Sequence, residues 1–103
     1  MDNNFQKMQA RAVEIKAKSH EIEPKKWGVE QVMAGLVTDI GELNEIIMAY
    51  SGYRNIEGDL EKRLAHEMSD VLFSLFALAN KTGVDLEKEF NITMDELEKR
   101  LSK

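Results

Sequence analysis

Cysteine is absent from this chain, proline occurs once, and aromatic residues make up only 7% of it. Without a thiol there is no disulfide framework, no thiolate metal site and no cysteine nucleophile, and nothing marks the chain as a small secreted scaffold. Long apolar runs are missing as well. The longest nearly apolar stretch, Val71 to Ala79, is about half of the roughly 20 residues that a membrane-spanning helix needs. The amino terminus carries no basic segment leading into an apolar one, so neither export nor membrane insertion is expected and the cytoplasm is the expected location. Basic charge is sparse: 14 Lys plus Arg against 19 Asp plus Glu leave a net charge of -5. With no basic stripe to offset it, that balance argues against a nucleic-acid polymer as partner. At 103 residues the chain has room for one domain, 1–103, and none for a second catalytic unit.

What is present favours helix. Six glycines and the single Pro24 punctuate long segments of Ala, Leu, Met, Glu, Lys and Gln, whose apolar residues recur with a period near 3.6 rather than 2. The fold expected is all-α: four helices in an antiparallel, bundle-like arrangement. Phe5, Met8, Ala12 and Ile15 mark the apolar face of a first helix over about residues 3 to 19. His20 to Lys26, around Pro24, reads as a connector, because proline disfavours helix in the residue before it. A second helix is expected from about Gly28 to Tyr50. Asp59 is positioned to cap a third that reaches Lys81, with Gly83 ending it, and Asp85 to cap a fourth that runs to about Leu101. Phe73 and Phe76 widen the apolar arc of the third helix beyond one face. In so short a chain this points to a partner subunit, so the bundle is expected to be completed by oligomerisation, as a homodimer or homotetramer. Phe90 reads as core or subunit interface.

One acid stands where a core residue is expected. Leu60, Leu64, Val71, Leu75 and Leu78 form one stripe of the third helix, and Glu67 falls near its middle. Burying a carboxylate there costs several kcal/mol unless something compensates. Asp70, one turn on, aims a second carboxylate in nearly the same direction. The second helix supplies a matching pair. Its expected stripe is Val32, Leu36, Ile40, Leu43 and Ile47, with Asp39 roughly 50° and Glu42 about 110° from the stripe centre, while Glu45 points away. If the two helices pack antiparallel, Asp39-x-x-Glu42 faces Glu67-x-x-Asp70 in one four-carboxylate site. Oxygen donors of this kind suit a hard dication, Mg²⁺ or alternatively Mn²⁺. The competing explanations are a solvated acidic face, or a buried acid paired with Lys62, Arg63 or a residue of another helix. A di-iron site would want Glu-x-x-His pairs, and neither His20 nor His66 has a glutamate three residues before it.

These residues also carry a resemblance. Asp39-Ile-Gly-Glu42-Leu-Asn-Glu45, then Glu67-Met-Ser-Asp70-Val-Leu-Phe and Ala79-Asn-Lys-Thr-Gly-Val-Asp85-Leu, resemble the motifs of the MazG-type all-α nucleoside triphosphate pyrophosphohydrolases, over about Trp27 to Arg100. The resemblance implies an oligomeric helical bundle that binds Mg²⁺ through the motif acids and cleaves a nucleoside triphosphate to the monophosphate and pyrophosphate. That family ordinarily has Glu-x-x-Glu as its first motif, so Asp39 is a shortened ligand, and Thr38 and His66 stand where acids are common. On the last helix the family commonly carries a Lys and an Asn ahead of an Arg. The corresponding positions are Thr93, Leu97 and Arg100, of which Arg100 alone keeps the pattern.

The mechanism implied is metal-assisted hydrolysis between the α and β phosphates. Asp39, Glu42, Glu67 and Asp70 are the expected metal ligands, and Asp39 is also the expected residue for orienting or deprotonating the water. Trp27 is the candidate to stack a base, with Lys26 and Arg100 as candidates for phosphate, although a Trp at a helix start also serves as a packing anchor. His20 and His66 read as surface or supporting residues. Two other functions remain open at this stage: a catalytically silent nucleotide-binding protein of the same fold, and a helical interaction module without ligand.

Overall fold

The computed structural model describes residues 3–22 and 28–102, with the side chains of residues 20–22 outside that description. It contains four helices, α1 (Asn4–Ile22), α2 (Val29–Tyr50), α3 (Leu60–Thr82) and α4 (Leu86–Leu101), and no strand among the described residues. Local chemistry sets their ends. The Asp59 carboxylate accepts a hydrogen bond from the Lys62 amide at 3.2 Å, and Asp85 does the same for Lys88 at 3.2 Å. Each thereby satisfies an amide that the first helical turn leaves without a partner. Gly83 ends α3 at φ 75°, a left-handed conformation that costs glycine nothing, and lets the Val84 amide reach the Ala79 carbonyl at 3.0 Å. α1 runs to Ile22, through the first residues of the expected connector, because Pro24 restricts the residue before it and leaves residue 22 free to stay helical.

α2 and α3 form the central antiparallel hairpin, and α1 packs against α3. The seam of the hairpin differs from the stripes expected. Val32, Leu36 and Ile46 are buried, whereas Ile40 and Ile47 are 48% and 41% exposed. Two helices that stay in contact along their length meet through a spacing near 3.5 residues rather than 3.6, so the buried line drifts around the helix. On α2 it runs Val32, Leu36, Asp39, Leu43, Ile46, and on α3 Leu60, Leu64, Glu67, Val71, Ser74, Leu78, every one of these half-buried or buried. Leu75, expected in the seam, is correspondingly 37% exposed.

A second part of the core lies where α3 meets α1. Phe76 is 3% exposed and packs edge-on against Phe5, with ring centroids 5.3 Å apart and an interplanar angle of 82°. Phe73 is half-buried, while Phe90 on α4 is 56% exposed and buried in no core of this chain. None of the residues of α4 is buried. A radius of gyration of 16.5 Å, against about 13 Å for a compact domain of this length, describes an open molecule from which α4 stands apart.

Candidate metal centre

The seam places two of the acids on facing helices, and helical spacing brings the other two beside them. Asp39 lies on the α2 side of the seam, half-buried, and its Oδ2 accepts a hydrogen bond from the Ser74 hydroxyl of α3. This contact joins the two helices at the site. Glu42, one turn further along α2, is exposed. Its carboxyl is held above the ordinary value of 4.5, first by the Glu67 carboxylate beside it, then by partial desolvation, and further by Asp39, by a hydrogen bond shared with Glu67, and by Asp70. Glu42 is therefore within electrostatic reach of the other three acids singled out in the sequence. Glu45 is not part of the group, and pairs with Arg54 at 3.2 Å.

Glu67 carries the largest unresolved polarity. Its Oε2 is shut off from water and has no hydrogen-bond partner, an arrangement that costs about 1–3 kcal/mol for a neutral group and more for a charged one. Arg63, one candidate to neutralise it, instead donates from Nη1 to the Glu57 carbonyl at 3.0 Å. Asp70 contacts His66, with Nε2 to Oδ2 at 3.2 Å. One donor atom each from His66, Glu67 and Asp70 lie within 4.8 Å of one another. An orphaned carboxylate oxygen amid further carboxylates fits a hard divalent cation. The cation would give that oxygen a partner and cancel the repulsion among the acids.

A cleft of about 600 Å³ opens beside the acids, walled by Asp39 and Asp70 and by Ser74 and Phe73 of α3. Lys16 of α1 and Gln31 and Thr38 of α2 also line it. Its size lies within the range of small-molecule sites. Lys16, Gln31 and Ser74 escaped the sequence reading. Ser74 was recoverable in principle as a polar residue on the heptad line through Glu67, whereas nothing local to Lys16 signals that α1 will bring it to the acids. Arg100 lies exposed in the last turn of α4 and does not line the cleft. Trp27 and Lys26 lie outside the described residues.

An all-α chain whose central hairpin gathers four carboxylates at the edge of an open cleft defines a helical protein with a candidate site for a divalent cation and an anionic ligand. Comparison with known proteins narrows the class to one family: residues 28–103 match the MazG nucleotide pyrophosphohydrolase domain, and the chain belongs to that family. The family is metal-dependent and acts on nucleotides. Among solved structures, the crystal structure of the Bacillus-conserved MazG protein, a nucleotide pyrophosphohydrolase, is similar at 26% identity and a TM-score of 0.71, covering 94% of this chain and 92% of that one. A search of curated proteins found no match. Among the described residues, no helix is long and apolar enough to cross a membrane.

Proposed function

We propose that this chain hydrolyses a nucleoside or deoxynucleoside triphosphate to the monophosphate and pyrophosphate, with Mg²⁺ or alternatively Mn²⁺, and that it cleans the cytoplasmic nucleotide pool. The observation that carries the reading is the buried, unpartnered Glu67 Oε2 among the carboxylates of Asp39, Glu42 and Asp70, at the edge of a cleft of nucleotide-sized order. Asp39, Glu42, Glu67 and Asp70 hold the cation. When bound, the cation neutralises triphosphate charge and makes a coordinated water more acidic. Asp39, with Oδ2 tied to Ser74, keeps its second oxygen to orient the attacking water or take its proton. The water oxygen bonds to the α phosphorus, the bond from that phosphorus to the bridging oxygen breaks, and pyrophosphate leaves. Lys16 lines the same cleft as Asp39 and Asp70, where a cationic side chain suits the phosphates.

In this reading Trp27 stacks the base, and Lys26 and Arg100 contact phosphate. Arg100, absent from the cleft of its own chain, joins a site when the oligomer assembles. Support for a homodimer or homotetramer comes from exposed apolar side chains on two helices: Val37 at 57% and Ile40 at 48% on α2, and Phe90 at 56% on α4. A second reading has its own support. Thr93 turns its hydroxyl back to the Glu89 carbonyl at 2.9 Å, and Leu97 offers no polar group, so two positions at which relatives commonly carry phosphate-binding residues supply none. That favours a protein that binds the nucleotide without cleaving it.

A pyrophosphate-release screen over the eight common ribo- and deoxyribonucleoside triphosphates, with Mg²⁺ and with Mn²⁺, tests the hydrolase directly. Release from at least one triphosphate is expected. Silence across the panel, together with thermal stabilisation by a non-hydrolysable triphosphate, selects the silent binder. No stabilisation by either metal or nucleotide selects an interaction module.

A further inference from the structure

Among the described residues, His66 is the histidine grouped with Glu67 and Asp70, and the metal reading of the four acids leaves it without a role. Four residues separate it from Asp70 on α3, so both side chains rise from one face of the helix. The same i,i+4 spacing lets a single helix grip one ion with two side chains. Nε2 lies 3.2 Å from Asp70 Oδ2, which matches two donors on one ion, since ligands each about 2.1 Å from a metal sit about 3.0 to 3.4 Å from each other. Glu67 places a third donor within 4.8 Å of both, and its Oε2 has no hydrogen-bond partner among the described residues. The imidazole is 71% exposed, so an ion arriving from solvent meets it with little desolvation cost.

We propose that His66 is a metal ligand at the outer edge of the carboxylate cluster, and that with Glu67 and Asp70 it gives this chain a preference for first-row transition dications over Mg²⁺. The inference rests on the metal reading above and extends it. Mg²⁺ is a hard ion that keeps oxygen ligands and several waters, and gains little from an imidazole. Mn²⁺, Co²⁺ and Zn²⁺ take nitrogen in increasing preference along much of the first row. An acid at this position would keep the donor set all-oxygen, and the histidine alters it.

The discriminating quantity is how the metals respond to removal of the ring. Isothermal titrations with Mg²⁺ and with Co²⁺ are compared between the unaltered protein and His66→Gln, with circular dichroism confirming that the variant is folded. The variant is expected to lose at least about tenfold in Co²⁺ affinity and less than about threefold in Mg²⁺ affinity. The chain has two histidines, so ¹⁵N NMR of the imidazoles during a Zn²⁺ titration carries an internal reference. The His66 nitrogen resonances should shift at one equivalent while those of His20 stay in place. Unmoved His66 resonances, or Co²⁺ and Mg²⁺ affinities that change by the same factor, overturn the proposal and leave His66 as a helix-surface partner of Asp70. Pyrophosphate release measured on the same samples separates the two levels. Release with Mg²⁺ and no response at His66 sinks the imidazole ligand alone, whereas a Zn²⁺ response without release from any triphosphate supports the ligand and sinks the hydrolase.

Discussion

Replacing Glu67 by Gln separates a metal ligand from a structural ion pair, because the two explanations predict opposite changes in stability. In the metal-free protein Glu67 Oε2 is buried without a partner, and the carboxylate stands beside Glu42 with Asp39 and Asp70 near. An amide of almost the same shape removes the charge, so the repulsion is relieved and a neutral group takes the buried position. The amide stays unpartnered at that position, which costs about 1–3 kcal/mol for a neutral group and more for a charged one. The excess carried by the charge is what the substitution relieves, so a gain of about 1 kcal/mol is expected, which raises the melting temperature by about 4–8 °C in a domain of this size. Were Glu67 instead the charged half of a buried pair, the same substitution would cost about 3–5 kcal/mol and lower it steeply. Calorimetric melts in EDTA read the sign. Melts with Mg²⁺ read the second half of the argument: the unaltered protein should gain about 2.7 kcal/mol at a hundredfold excess over Kd, and Glu67→Gln should lose most of that gain. A variant that melts lower in EDTA, or one that Mg²⁺ stabilises as fully as the unaltered protein, would refute the reasoning.

Ser74→Ala frees Asp39 from the hydrogen bond that it accepts across the hairpin. It should lower kcat about tenfold with little change in KM, whereas Ser74→Thr, which keeps the hydroxyl, should recover most of the rate in a steady-state assay. Raising the pH should weaken the metal-free protein. The Glu42 carboxyl is raised above 4.5, chiefly by Glu67, so the folded state holds that proton more tightly than the unfolded state does. The stability it contributes is present below about 4.5 and is lost as pH rises through the folded value. Melts in EDTA across this range should fall on that account, and saturating Mg²⁺ should flatten the decline. Asp85→Ala removes the cap on the Lys88 amide and should cost about 1 kcal/mol, seen as a lower midpoint in urea unfolding at unchanged slope.

Much of the architecture was legible because its determinants are local. Asp59, Gly83 and Asp85 act within one helical turn, and each ends or starts a helix where its own chemistry dictates. The phase of the hairpin seam was not. Ile40 and Ile47 belong to the ideal 3.6-residue wheel, but a helix pair in continuous contact follows a tighter repeat, which turns them outward and draws Asp39 into the seam. That same rotation brings Asp39 to Ser74, a contact that depends on register between residues 35 positions apart in the chain. The convergence of Asp39, Glu42, Glu67 and Asp70 could be anticipated, since a charged residue on an apolar stripe is conspicuous and its helical neighbours follow from spacing. Lys16 could not, because its arrival depends on how α1 crosses α3. The amphipathic pattern of α4 shows that one face seeks cover, and says nothing about which surface covers it.

The central claim is that α2 and α3 together hold a divalent cation. Crystals soaked in Mn²⁺ and recorded near its absorption edge test it most directly. An anomalous peak bounded by carboxylate oxygens of Asp39, Glu42, Glu67 and Asp70 is the predicted result. Well-ordered acids with no peak among them at saturating Mn²⁺ would contradict it.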